Sequence, residues 1–250
     1  MSIVVITLIG NSSVQAKEYI IGVENLSYYP LYDFSEQELE RDSFSKELLS
    51  AFFSHHGYQF KFVALPLKRF NKWYIEEAID FKFPDNVRWR TAQLSELNVT
   101  YSQAVLHLTA GSYVLNKNKS LPRKAIKRLG TILGFTPTLW YDRVEDETIE
   151  LIEEDSSFSL IKHLLHGNVE AINIDKNVIN YNLQLLNQQE DDIVLNKHIK
   201  YERYAFHFST ILYPEIISEF DAFLESHRQL VTEMKIKYGI VESTEKYSAR

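Results

Sequence analysis

Few residues in this chain combine a chemical handle with a position that could use it. Lys82, Asp85, Asn86 and Trp89 fall in or just after a short apolar run over 81–83. Open α/β sheets hold ligands just past the carboxyl ends of their strands, so this is where polar groups could meet one. Lys82 stands between two phenylalanines, so its side chain points away from theirs. It reads either as a cationic contact to an anionic group or as a solvent-facing strand lysine. Trp89 reads equally as a contact or as core. Tyr28, Tyr29 and Tyr32 share an aromatic loop and could stack on a flat polar molecule or pack a surface, since tyrosine is half apolar and half hydrogen-bonding. Tyr204 lies with His207 on a late β-rich stretch over 203–209.

Little else suggests catalysis or metal chemistry. His163 and His166 are spaced as metal ligands on a helix can be, but no third ligand lies near them in sequence. His55 and His56 are adjacent and would not share a helix face. There is no cysteine, which removes disulfides, thiolate metal sites and cysteine nucleophiles together. Phosphate-cradling glycine loops, a zinc-protease helix motif and a nucleophile elbow are all missing from the sequence. No catalytic residue, metal or cofactor is expected.

The elements that must position these residues follow from composition and periodicity. The chain has 250 residues, 45% hydrophobic and 24% charged, with a formal charge of −7. This supports a sizeable core, and two lobes are common at this length. The negative charge argues against a nucleic-acid partner. Arg123, Lys124, Lys127 and Arg128 read as the solvated face of one helix, with Ala125, Ile126 and Leu129 turned inward.

An apolar run over 3–9 followed by Val14-Gln15-Ala16 fits a signal peptide over 1–16 cleaved to leave Lys17. The start has no Lys or Arg, which fits a misassigned start codon or, alternatively, a buried first strand. The rest carries no stretch apolar enough to span a bilayer, so no stable membrane insertion is expected.

Strands are expected over 19–23, 60–65 and 81–83, with helices over 43–56 and 69–79 between them. A β-rich stretch over 102–116 is interrupted by Gly111. Strands over 131–135, 149–151, 169–174 and 193–195 then alternate with helices over 141–144, 157–165 and 178–186. A return strand over 203–209 precedes one long amphipathic helix over 215–237, and a polar tail from 242 is expected to fray. The fold class is α/β: two lobes, each a small open sheet flanked by helices, joined by two crossover strands. Lobe 1 is expected over 17–111 plus 208–240, lobe 2 over 112–207, and the tail over 241–250. Two crossings between two such lobes leave a cleft suited to a ligand.

The order of several segments resembles the family-3 periplasmic solute-binding proteins. They are YIIGVENLSYYPLYDF over 19–34, LPLKR over 65–69, Phe83-Pro84, Tyr101-Ser102, LGFT over 133–136 and GNVEAINID over 167–175. The resemblance spans about 17–238. It implies a non-enzymatic, monomeric clamp that closes on a small polar solute, commonly an amino acid. It also implies delivery to an inner-membrane permease of the ABC type, and a periplasmic location. A sensory or accessory protein on the same fold is the alternative.

By the same resemblance, Thr136 falls in the loop where members bind the ligand carboxylate. A helix start there would supply free N–H groups. Asp175 falls where members hold the ligand ammonium, although an Asp in that place is also a common helix N-cap. The family's carboxylate-clamping Arg has no counterpart, because its place is Ser95 and the arginines Arg88 and Arg90 lie upstream. A bidentate clamp depends on placement, so inherited amino-acid specificity does not follow.

Overall fold

A computed structural model describes residues 17–35, 41–90 and 96–243. The expected signal segment, Ser95 and the last seven residues lie outside them.

The first sheet begins with β1 (Glu18–Glu24). A small hairpin of β2 (Ser27–Tyr28) and β3 (Tyr32–Asp33) follows. Helix α1 (Phe44–His55) buries Leu48, Leu49, Phe52 and Phe53 along one stripe, and Gly57 at φ 69° ends it in the left-handed region that glycine tolerates. Next come β4 (Gln59–Leu65), the short helix α2 (Phe70–Ile75) and β5 (Phe81–Asp85). Both β4 and β5 pair parallel to β1. The sheet is completed by β6 (Thr100–Tyr101), β7 (Leu106–Ala110) and the late strand β13 (Glu202–Thr210), antiparallel to β5, β6 and β7. Ile21, Val23, Phe81 and Phe83 alternate onto the face covered by α1 and are fully buried.

The second sheet holds β8 (Tyr113–Leu115), β9 (Arg128–Ile132), β10 (Glu150–Glu154), β11 (Ala171–Ile172) and β12 (Ile193–Leu195) in the order β10-β9-β11-β8-β12. Its helices are α3 (Tyr141–Glu145), α4 (Ser157–Leu165) and α5 (Lys176–Leu185). The chain then returns through β13 to α6 (Pro214–Ser226) and α7 (Arg228–Lys237). Gly111 lies where the chain passes from one sheet to the other. A Cβ there would sit 2.4 Å from Leu195 Cδ1 and 3.3 Å from Tyr201 Cβ, so a larger residue would have to push the Leu195 side chain aside.

Several expected elements differ. The basic helix near Lys124 is only a single turn over Arg123–Ala125, and Arg128 already belongs to β9. Pro122 opens that turn, and the cluster's arginines are held by partners remote in sequence. Arg123 pairs with Asp142 at 2.5 Å, and Arg128 with Glu170 at 2.6 Å. The helix expected over 69–79 stops at Ile75, where Glu77 takes a φ of 53°. The strand expected over 131–135 lies earlier, that over 149–151 runs later, and that over 169–174 keeps only two paired residues. The long terminal helix is two helices broken at His227, whose ring Nδ1 turns back to the Phe223 carbonyl at 3.2 Å. The near end of the tail is not frayed. Glu242 accepts a hydrogen bond from the His107 N–H at 2.8 Å, and the Ser243 N–H donates to the His107 carbonyl at 3.0 Å.

Candidate ligand cleft

Parallel strands β1, β4 and β5 of the first sheet and β9 and β11 of the second direct their following loops toward a shared cleft of about 590 Å³. Its floor is set by strand register. Gly22 of β1 lies opposite Lys82 of β5, and Ser209 of β13 lies opposite Lys82 on the other side. Directly paired residues share a face, as do residues two apart on one strand. Glu24, Lys82 and Ser209 are therefore brought together, although 185 positions separate the outer two (209 − 24). Gly22 lets Ile79 and the Phe70 ring of α2 pack close behind the floor, since a Cβ there would lie 2.5 Å from Ile79 Cδ1 and 3.3 Å from Phe70 Cε1.

The floor carries two ionisable groups almost wholly out of water. Glu24 is 5% exposed and accepts a hydrogen bond from the Tyr32 hydroxyl. Burial pushes its carboxyl up to about 7, against the opposing pull of that hydroxyl and of the Lys82 charge. Lys82 is 7% exposed, and its Nζ lies 2.9 Å from Asp85 Oδ1 and 5.4 Å from the centre of the Phe70 ring. Asp85 also accepts from the Ser209 hydroxyl at 2.7 Å and from the Asn86 N–H at 2.9 Å.

Both sheet units wall the cleft and touch across it. Tyr28 meets Phe135 edge to face at 5.4 Å, and its hydroxyl accepts the Asp175 N–H at 2.7 Å. Gly134, at φ 90°, approaches Leu67 so closely that a Cβ would lie 3.1 Å from the Leu67 Cβ. Trp89, Tyr204 and Phe206 form an aromatic wall, with centroids 5.8–6.2 Å apart.

Of the residues singled out from sequence, Tyr28, Tyr32, Lys82, Trp89, Thr136 and Tyr204 line this cleft. Tyr29, Asp85, Asn86 and Asp175 are placed elsewhere. The Tyr29 ring lies against Tyr181 at 4.4 Å with the Arg41 guanidinium 3.7 Å above it. Asp85 sits behind Lys82, and Asn86 donates from its side chain to the Ala205 carbonyl at 2.7 Å while capping the turn after β5. Asp175 caps α5 through the Asn177 N–H at 2.8 Å, and burial pushes its carboxyl up to about 6 against those hydrogen bonds. The short helix after Thr136 begins only at Tyr141, past one 3-10 turn.

Glu24, Phe70, Asn173 and Phe206 also line the cleft and were not singled out from sequence. Glu24 left one signal, a lone acid closing the apolar run of β1. Arg88 and Arg90 line it too. Arg88 pairs with Glu202 at 3.2 Å, and Arg90 donates to the Leu97 carbonyl at 2.5 Å. No helix among the described residues is long and apolar enough to cross a membrane. Likewise, no group of three or more metal-ligating side chains converges among the described residues.

No family model matches the chain, and no curated protein matches it in sequence. Solved structures do match it in fold. The arginine-, lysine-, histidine-binding protein ArtJ from Geobacillus stearothermophilus superposes with a TM-score of 0.69 at 14% identity, over 91% of this chain and 97% of that one. A His/Glu/Gln/Arg/opine family-binding protein from Silicibacter pomeroyi, in complex with lysine, gives 0.65 at 16% identity, over 91% and 100%. A histidine kinase sensor domain similar to periplasmic binding proteins gives 0.68 at 12% identity, over 91% and 99%. The chain thus has the two-lobed α/β fold of the periplasmic binding proteins.

Proposed function

We propose that the protein is a periplasmic solute-binding protein that captures a small polar solute, an amino acid or a related compound, and presents it to an inner-membrane transporter. The observation that carries this reading is the cleft itself. Both sheet units contribute walls to it, and its floor holds buried charge next to aromatic side chains. Such a site suits a ligand with a polar head and an apolar body. We take the lobes as 17–111 plus 208–240 and 112–207, hinged at the two crossovers. Closure assembles the two walls, so a ligand touching both shifts the open–closed equilibrium by its differential contacts.

In this reading Tyr32, Lys82, Trp89, Thr136 and Tyr204 contact the solute. Asp85 and Asn86 position Lys82 and the following loop from behind, and Asp175 fixes the start of α5. The solved relatives named above are binding proteins and a sensor domain. That favours a binding role over catalysis and also keeps a sensory role in view, through the kinase sensor domain.

A thermal-shift screen of residues 17–250 against amino acids, peptides, organic acids, polyamines and sugars tests the proposal. A solute at a hundred times its Kd adds about 2.7 kcal/mol of stability, which is readily seen. A saturable shift with one class supports capture. Silence across all classes contradicts it and favours an accessory role exerted through a protein partner.

A further inference from the structure

We propose that the cleft selects solutes that join an aromatic ring to a carboxylate, with Lys82 anchoring the carboxylate. This rests on the solute-binding reading and names the substrate class of that cleft.

The anchor follows from hydrogen-bond arithmetic on a buried ammonium. A lysine Nζ carries three N–H donors and no acceptor. Among the described residues, Asp85 is the hydrogen-bond acceptor that meets Lys82, through one oxygen at 2.9 Å. Two donors are therefore left over on a side chain 7% exposed that lines the cleft. Asp85 divides its charge among Lys82, the Ser209 hydroxyl and the Asn86 N–H, so it neutralises the ammonium only in part. A buried cation with free donors favours an anion with at least two acceptor oxygens. Glu24 attracts a ligand cation less than an exposed carboxylate would, because the Tyr32 hydroxyl already donates to it and burial raises its carboxyl to about 7.

The ring preference follows from what surrounds that anchor. Tyr28 and Phe135 approach from opposite lobes, and Trp89, Tyr204 and Phe206 form a wall with interplanar angles of 52–67°. Aromatic pairs favour such edge-to-face arrangements at centroid distances of about 4.5–7 Å, beyond what burial alone gives. Trp89 lines the cleft and remains 37% exposed, so its ring has surface still to cover. An aliphatic chain would gain the burial and forgo the ring pairs, a difference of about tenfold in Kd.

Calorimetric titration at pH 7 with 3-phenylpropionate, L-phenylalanine, hexanoate, phenethylamine, putrescine and glucose decides the matter. The two aromatic carboxylates bind, hexanoate is about tenfold weaker, and phenethylamine shows no heat of binding. Lys82→Met loses all carboxylate binding while its circular dichroism stays native. Should Lys82→Met fail to fold, Trp89→Leu serves instead, and 3-phenylpropionate then loses its advantage over hexanoate. Binding of putrescine, glucose or phenethylamine without the aromatic carboxylates overturns the inference and leaves the solute-binding reading standing. Carboxylate binding unchanged in Lys82→Met also overturns it. Absence of binding by every probe, in the titration and in the broader thermal-shift screen, overturns both.

Discussion

The Tyr28 hydroxyl accepts a hydrogen bond from the Asp175 backbone N–H at 2.7 Å across 147 positions of sequence. It ties the hairpin after β1 to the N-cap of α5, and so one sheet unit to the other. Both groups are buried. Tyr28→Phe keeps the ring contacts with Tyr32 and Phe135 but leaves that N–H without an acceptor, at a cost of about 1–3 kcal/mol. Urea denaturation should therefore show a lower midpoint with an unchanged slope. An unchanged midpoint would mean that the two units are not held in this arrangement in solution.

Gly134 is the second point of close approach. Its φ of 90° is strained for any side chain, and a Cβ would press on Leu67. Gly134→Ala is expected to cost about 1–2 kcal/mol through the backbone alone. It should also hold the walls apart, which small-angle scattering would register as a larger radius of gyration. A variant as stable and as compact as the parent would show that the walls do not meet there.

The buried acids give the protein an unusual pH response. Burial raises Glu24 to about 7 and Asp175 to about 6, from ordinary values of 4.5 and 3.8. Between the ordinary and raised values the folded chain holds protons that the unfolded chain has released. Stability therefore falls as pH rises from about 4 to about 7. Glu47 and Glu170 are lowered, by Lys237 and Tyr238 and by Arg128 respectively, against the opposing effect of burial. What they contribute is lost only as pH drops below about 4.5, outside this window. The melting temperature should be higher at pH 5.5 than at pH 8, and Glu24→Gln should flatten the difference. A melting temperature that rises steadily from pH 5.5 to pH 8 would contradict the burial of these groups.

How much of this was legible in sequence depends on where each residue finds its partners. Helix α4 could be read outright, because Leu160, Ile161 and Leu164 recur at helical spacing and Gly167 stops the chain at φ 76°. The short apolar run over 19–23 likewise announced β1 as a buried strand. The basic run near Lys124 misled because its spacing suits a helix, whereas Arg123 and Arg128 are held by Asp142 and Glu170, 19 and 42 positions away. Lys82 stood out as a charge inside an apolar strand. Asp85 and Asn86 could not be placed, because Ser209 and Ala205, which hold them behind the cleft, come 124 and 119 positions later. Asn173 and Phe206 belong to the cleft only because β11 and β13 end up beside β9 and β5, a matter of topology that local pattern does not encode.

The segment after α7 bridges the two units from outside the cleft. The Val241 N–H donates to Asn177 Oδ1 at 2.8 Å, and Asn177 Nδ2 donates back to the Val241 carbonyl at 3.1 Å. His107 is stitched to Glu242 and Ser243 nearby. Asn177→Ala removes both bonds to Val241, together with the Nδ2 bond to Asp175 Oδ1, and should cost about 1–3 kcal/mol. Hydrogen exchange should then quicken at Val241 while α1 stays protected. Exchange that is already fast at Val241 in the parent protein would show that the clasp is not formed.

The central claim is that one solute is held by both lobes at once, and calorimetry on variants of opposite walls tests it most directly. The solute giving the largest shift in the thermal-shift screen is titrated into the parent, into Trp89→Ala on the first wall and into Phe135→Ala on the second. Each substitution should weaken binding by at least tenfold, because closure needs contacts from both sides. Affinity that falls for one wall and is unchanged for the other would contradict the central claim and place the solute on a single lobe.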